Sequence, residues 1–390
     1  MSGHQTPEVQ TRQAVGASKL PKVLFGCGAL DTLAGLLTDL GVPGHSPTAV
    51  LVVHGRSLIH GDVHTRLMEN LQKFNASFVQ QPSTPSAQSV RGLVDEILAH
   101  DADIVVAVGG GGVMDGAKAA VAHLRTDKAA KVRAITVPTT PGSGAEVTPF
   151  ATLWDVENGR KQSVNASGCV IAAIVDPDLV SGLPLQVLAA SVLDTLTQGA
   201  EAVWSTRSTP ESIAAGLAAV ALVSGAHERL LTEEDDDTRK AASLAGHLSG
   251  QAIAISQTTA CHALSYPLTA RYRLSHGHAC GLALCALLSY NSQTMGADCQ
   301  DPRGVDHVRD VTRRVMYAMG AATPAAARSL VCVIRSAGKL GPYAACGADD
   351  TIVAQDALTY GRLENNPRRL DAASLGMLLR SMREEGQACM

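Results

Sequence analysis

The residues from Thr258 to Asn291 (TTACHALSYPLTARYRLSHGHACGLALCALLSYN) carry three histidines, His262, His276 and His278, of the thirteen in the chain. Small and apolar residues flank them, so the imidazoles are expected at the edge of a packed interior. A single His in such a setting is an ordinary core or capping group. Three in one short run, separated by a turn-like Arg-Tyr-Arg-Leu-Ser, suggest metal ligation if an acidic ligand arrives from elsewhere. Leu185–Trp204 (LQVLAASVLDTLTQGAEAVW) supplies one: it is helical and mostly apolar, with Asp194 and Gln198 on one face at i, i+4. A carboxylate and an amide inside an apolar helix need partners. Asp194, His262 and His276 offer one hard oxygen and two imidazoles, a set suited to Fe²⁺ or Zn²⁺. Gln198 adds a neutral oxygen or a hydrogen bond behind the ligands. The plainer alternative is that the Asp-Gln pair only satisfies nearby backbone groups.

The first half must position whatever reacts at such a centre. Thr48–Val53 (TAVLVV), Asp103–Val108 (DIVVAV) and Arg133–Val137 (RAITV) read as buried strands, with a further short stretch at Ser77–Gln80 and a helix over Ser89–Ala99. Strands separated by helices of this length imply parallel pairing with helices on both faces. Gly109, Gly110, Gly111 and Gly112 follow one strand and lead into a helix starting near Val113. Glycine lets backbone approach a phosphate, and a helix N-terminus offers unpaired N–H groups. The run is neither GxGxxG nor a P-loop, and Lys118 sits too deep in the helix for the latter. A tight turn without a ligand is the alternative, with Asp115 and Lys118 as ordinary helix decoration; Asp115 is nonetheless grouped with the cofactor site, as is Lys161. The next strand ends in a cluster of hydroxyls and glycines that includes Thr139, Thr140, Ser143 and Thr148, where open α/β sheets bind ligands. After Val53 the turn shows Gly55, Arg56 and Ser57 with no carboxylate for a ribose. A guanidinium and a hydroxyl suit a 2′-phosphate, which favours NADPH, with NADH as the alternative.

Length and composition frame these sites. The 390 residues suit two domains rather than one core. Hydrophobic residues at 46% and charged residues at 17% describe a globular chain, and 3% aromatics leave its core to Ala, Val, Leu and Ile. A net charge of −4 gives no basic footprint for nucleic acid. No apolar run reads as long enough to span a bilayer, and the start of the chain lacks a signal-peptide pattern, so a cytoplasmic location is expected. Nine scattered cysteines without CxxC read as reduced thiols. Residues 1–18 read as a flexible tail, 19–182 as a dinucleotide-binding α/β domain, and 183–390 as an all-helical domain. The acidic run Glu233–Asp237 reads as a solvated loop or helix start, and Leu363–Arg368 (LENNPR) as a polar break between helices.

From about Val23 nearly to the C-terminus, the chain resembles the iron-containing (group III) alcohol dehydrogenases. The motifs that carry the resemblance are VGGGGVMDGAK, VPTTPGSGAEVT, IVDPDLVSGLP, LDTLTQGAEAVW, the His262–Asn291 stretch and LENNPRRL. It implies a Rossmann-like N-terminal domain and an all-α C-terminal domain, the architecture shared with dehydroquinate synthase. It implies that Gly109 to Gly112 hold a pyrophosphate, where the family usually has Ser at position 112. Thr139, Thr140, Ser143 and Thr148 would line the nicotinamide and ribose region. The family's ribose-binding Asp falls on Gly55, in agreement with NADPH. Its metal ligands fall on Asp194, Gln198, His262 and His276, with His usual at position 198. A further family His, associated with proton transfer, falls on Tyr266.

Within the family, TTACHALSYPLTARYRLSHGHACGL and LDTLTQGAEAVWSTRSTPES are similar to the phosphonoacetaldehyde reductases, which implies reduction of that aldehyde to 2-hydroxyethylphosphonate in phosphonate natural-product biosynthesis. Proton delivery falls to Tyr266, or to His278 through water. A phosphonate dianion needs cations, and Lys161, Arg271 and Arg273 are the candidates. A homodimer acting on a small-molecule aldehyde is expected. Rival expectations are a maleylacetate reductase or generic aldehyde reductase, a sugar-phosphate cyclase or lyase, and a catalytically silent binding protein.

Overall fold

A computed structural model describes residues 8–10, 20–41, 48–59, 61–126, 131–155, 157–158, 160–233 and 235–388. The chain divides into two compact units. The first comprises Met1–Thr140, Ala145–Asp155 and Lys161–Ser181; the second comprises Pro141–Gly144, Val156–Arg160 and Gly182–Met390.

The first unit is built on strands β1 (Glu8–Gln10), β2 (Lys22–Phe25), β3 (Ala49–His54), β4 (Asn75–Gln80), β5 (Ile104–Gly109), β6 (Arg133–Pro138) and β9 (Val170–Val175). They form one sheet in the order β1-β2-β9-β6-β5-β3-β4, and β7 (Phe150–Asp155) and β8 (Arg160–Asn165) form a separate pair. Every pairing in the large sheet is parallel except β1 with β2. Helices α1 (Leu33–Asp39), α2 (Asp62–Leu71), α3 (Ala87–Ala99) and α4 (Gly111–Thr126) connect the strands. Strict alternation along the apolar central strands makes two cores. Val50, Val52, Ile104, Val106 and Val108 join Leu33, Leu37 and Leu67 on one face. Leu51, Val53, Val105 and Ala107 join Leu93, Val113, Met114 and Ala117 on the other. The expected flexible tail lies mostly outside the described residues, but Glu8–Gln10 pairs with β2.

In the second unit α5 (Leu185–Trp204) packs against α6 (Pro210–Thr232), α7 (Asp236–Ser256) and α9 (His276–Ser292), and α8 (Ala260–Tyr272) packs against α9. Helices α10 (Val305–Ala318), α11 (Pro324–Ala337), α12 (Asp350–Ala357) and α13 (Ala372–Ala388) complete it. Glycine permits the tightest crossings. A Cβ on Gly199 would lie 2.9 Å from the Gly216 carbonyl oxygen, and one on Gly216 2.6 Å from that of Gly199. The acidic run proves a helix start: Asp235 caps α7 by accepting from the Thr238 N–H, and Thr238 answers it. LENNPR contributes to a short 3-10 turn, Gly361–Asn365, ahead of α13.

Two expectations need correction. Helix α6 is long and apolar enough to cross a membrane by length and composition, contrary to the sequence reading. It packs against α5 and α7, crossing α5 closely at Gly216. Among the described residues Cys27, Cys169, Cys261, Cys280, Cys285, Cys299 and Cys346 are outside any disulfide, as expected, whereas Cys332 is disulfide-bonded.

Candidate metal centre and nucleotide-binding turn

Helix α5 brings Asp194 into the interior of the second unit, 5% exposed. Helix α8 brings His262 and helix α9 brings His276 and Cys280. One donor atom from each of Asp194, His262, His276 and Cys280 lies within 4.8 Å of all the others. His262 Nε2 is 3.6 Å from Asp194 Oδ1, and His276 Nε2 is 3.8 Å from Cys280 Sγ. The approach of α9 to α5 depends on Gly277, next to His276: a Cβ there would fall 1.9 Å from the Ala190 carbonyl oxygen and 2.8 Å from Asp194 Cβ. Gly281, one turn on, meets Leu193 at 2.9 Å in the same way.

Glu201, fully buried and two turns beyond Asp194 on α5, orients the first imidazole. One carboxylate oxygen accepts from His262 Nδ1. The other accepts from the Thr259 hydroxyl at 2.8 Å and from the N–H groups of Cys261 at 2.8 Å and His262 at 3.3 Å. It thus serves buried N–H groups of the α8 N-terminus that have no intrahelical acceptor, and fixes the tautomer that turns Nε2 toward Asp194. Burial acts to raise this carboxyl, but His262 beside it, with Thr259, holds it below the ordinary carboxylate range. Sequence reasoning missed Glu201 and Cys280. The signal for both was spacing: Glu201 follows Gln198 by three residues and Cys280 follows His276 by four, so each shares its neighbour's helix face.

Asp194 Oδ1 has no hydrogen-bond partner among the described residues, although it is buried. A buried carboxylate oxygen that accepts no hydrogen bond is costly, and a cation beside it offsets that cost. Oxygen, two imidazole nitrogens and a thiol are donors that divalent transition metals take. The residues therefore fit a metal.

Gln198 is engaged elsewhere. Its Nε2 donates to the Ser143 carbonyl oxygen at 3.2 Å and its Oε1 accepts from the Ser249 hydroxyl at 3.0 Å. A carbonyl can only accept, which settles the amide's orientation. Tyr266 is buried, its ring stacked on His276 (5.9 Å between centroids) and edge-on to His262 at 6.4 Å. His278, two residues from His276, lies on another helix face and has its Nε2 2.8 Å from the Gly341 carbonyl oxygen. Burial pushes its pKa down to about 4. Arg271 pairs with Asp356, and Arg273 is exposed at the left-handed C-cap of α8, φ 58°.

In the first unit the candidate cofactor residues gather at the C-terminal ends of adjacent parallel strands. Gly55, after β3, donates its N–H to the Val108 carbonyl of β5 at 3.4 Å, and Thr139, after β6, donates to that of Gly109 at 3.1 Å. Arg56 is exposed, and with Ser57 it belongs to the short 3-10 turn Arg56–Ile59. Gly110, Gly111 and Gly112 are half-buried where α4 begins, and the first N–H groups of that helix have no intrahelical acceptor. This turn fits a pyrophosphate. Gly112 has a packing reason too, since a Cβ there would meet the Ser83 carbonyl oxygen at 1.8 Å.

Asp115 and Thr148 are committed to Lys118. The buried ammonium pairs with Asp115 at 2.9 Å and donates to the Thr148 hydroxyl at 3.0 Å, the Ala145 carbonyl at 2.8 Å and the Phe150 carbonyl at 2.6 Å. Asp115 also accepts from the Thr152 N–H at 2.9 Å. Thr140 is half-buried, and Lys161 lies half-buried on β8. Ser143 belongs to the second unit, where its carbonyl holds Gln198.

Comparison with known proteins places this geometry. The iron-containing alcohol dehydrogenase family matches residues 21–177, and the C-terminal part of the Fe-containing alcohol dehydrogenase family matches residues 188–382. A phosphonoacetaldehyde reductase of Streptomyces viridochromogenes is 44% identical over 345 residues, 83% of this chain and 87% of the relative. Two solved structures share the fold. An iron-containing alcohol dehydrogenase from Thermococcus thioreducens has a TM-score of 0.80 at 20% identity, covering 93% of this chain and 98% of its own. A sulfoacetaldehyde reductase from Bifidobacterium kashiwanohense in complex with NAD+ has a TM-score of 0.79 at 22% identity, covering 96% and 99%. The fold is thus the expected one, a Rossmann-like sheet unit and a helical unit, and the chain belongs to the iron-containing alcohol dehydrogenase family.

Proposed function

We propose that this chain is an NADPH-dependent, metal-assisted reductase that converts phosphonoacetaldehyde to 2-hydroxyethylphosphonate. The observation that carries the reading is the Asp194, His262 and His276 constellation, with a buried carboxylate oxygen that makes no hydrogen bond, in a chain 44% identical to a phosphonoacetaldehyde reductase. The reaction adds a hydride from the nicotinamide to the carbonyl carbon and a proton to its oxygen, leaving NADP+. Asp194, His262 and His276 would hold the divalent metal, iron or zinc, which when bound supplies a Lewis acid for the carbonyl.

The chain's own residues supply the rest. Glu201 keeps the His262 Nε2 lone pair directed inward. Gln198 ties α5 to Ser143 and Ser249 and acts as a positioning residue. Tyr266 is the proposed proton donor, because its phenol shares the buried face of both imidazoles. An alkoxide is a much stronger base than a phenolate, so the transfer runs downhill once hydride arrives. His278 is less suited: it is neutral near pH 7 and faces Gly341. Gly110, Gly111 and Thr139 are read as pyrophosphate contacts and Arg56 as the partner of the 2′-phosphate. Of the candidate phosphonate cations, Arg271 is paired with Asp356, and Arg273 on the second unit is exposed and is proposed in its place. We read the enzyme as a cytoplasmic homodimer.

The test is NADPH oxidation by the purified protein with phosphonoacetaldehyde, sulfoacetaldehyde, succinic semialdehyde and maleylacetate, each repeated with NADH. The expected result is the highest kcat/KM for phosphonoacetaldehyde with NADPH. A higher value for another aldehyde overturns the substrate. No net oxidation with any of them returns the cyclase and binding-protein readings.

A further inference from the structure

The geometry points to Cys280 as the fourth donor of the metal centre, making the site an Asp-His-His-Cys set that favours Zn²⁺ over Fe²⁺. The inference rests on the metal-centre reading above and goes beyond it in ligand count and metal preference.

Three observations carry it. Cys280 Sγ belongs to the same 4.8 Å cluster of donor atoms as Asp194, His262 and His276, and it is fully buried. It lies one helical turn after His276 on α9, so both project from one face, with Sγ 3.8 Å from His276 Nε2. The amide of Gln198 is engaged at both ends, its nitrogen donating to the Ser143 carbonyl and its oxygen accepting from the Ser249 hydroxyl, whereas Cys280 Sγ stands among the donor atoms of the cluster. Asp194 Oδ1, buried and without a hydrogen bond, adds a donor that a cation would satisfy. A thiolate is a softer donor than an amide oxygen or an imidazole and shifts a site toward zinc and away from Fe²⁺ in an otherwise N/O environment. Binding forms the metal–sulfur bond as the thiol proton leaves to solvent; no electron is transferred.

Cobalt(II) is the probe. The purified full-length protein, stripped of metal and reloaded with Co²⁺, is expected to show a thiolate-to-cobalt charge-transfer band in the near ultraviolet beside the visible ligand-field bands. Cys280→Ser is expected to lose the first and keep the second. Cys285→Ser, a buried thiol outside the cluster, is expected to keep both. Under anaerobic competition between equimolar Zn²⁺ and Fe²⁺, the zinc-to-iron ratio retained by Cys280→Ser should fall about tenfold or more. In the unsubstituted protein, Zn²⁺ should protect Cys280 from alkylation after brief denaturant exposure, a readout that needs no variant to fold. Cobalt bound without the charge-transfer band, or a band that survives Cys280→Ser, overturns the thiolate ligand. If Asp194→Ala still binds cobalt with unchanged spectra, the metal-centre reading fails and takes this inference with it.

Discussion

The two candidate sites are made from different materials. In the first unit the nucleotide-binding turn is mostly backbone: residues 109–112 follow β5 directly, and Gly55 and Thr139 come from the strands on either side. In the second unit the metal centre is side chain only, drawn from positions 194, 262, 276 and 280 on three helices. A backbone site is set by the strand and helix that flank it. A side-chain site is only as good as the helix packing that brings its donors together, and here that packing runs through Gly277 and Gly281.

The sharpest break of this comparison is Asp194→Ala. It removes the hard oxygen, and both bound metal and turnover should fall by more than about a hundredfold, while NADPH affinity by fluorescence titration is unchanged. Loss of nucleotide binding in that variant would mean the two sites are not separable. Gly277→Ala comes next. Its Cβ has no room beside Ala190, so α9 must move, with a stability loss of about 1–3 kcal/mol by denaturant titration and reduced metal content. Gly225→Ala, at an exposed position of α6 where nothing lies within 4 Å, should instead stabilise by about 0.5–1 kcal/mol. Equal effects at the two glycines would remove the packing argument.

Glu201→Gln keeps the size of the carboxylate but lowers its hold on His262 Nδ1. Metal affinity should drop about 10- to 100-fold with little change in nucleotide binding. The smallest effect concerns His278. Its pKa in the fold is about 4 against an ordinary 6.5, so the unfolded chain takes up the proton first. The stability that follows from keeping it neutral is complete above about pH 6.5 and is withdrawn as pH falls toward 4. His278→Asn should flatten the Tm-against-pH curve across that window and leave it unchanged above; an identical slope in both proteins would discard the assignment.

The backbone site was the more legible one. Apolar runs ending in glycine or Thr mark strand ends locally, so β3, β5 and β6 and the glycine turn could be read from their own residues. The metal set needed pairing across more than sixty residues, which Asp194 and the histidines disclosed by being polar in apolar surroundings. Cys280 and Glu201 gave less away. A Cys among Ala and Leu passes for core, and a Glu near a helix end passes for surface charge until its partners at the α8 N-terminus are known. The β7–β8 pair was not anticipated, because the polar alternation of RKQSVN resembles a loop. The role of Gln198 could not be read either, since only tertiary contacts decide which way an amide turns.

Lys118 has an implication of its own. Residues 145–150 have almost no ladder of their own, yet three of them hand an oxygen to one ammonium rooted in α4. That stretch should therefore open only when the helix lets go, so its slowly exchanging amides should share the protection of α4 rather than behave as an irregular connection. A single cation thereby makes a coil segment keep the time of a helix.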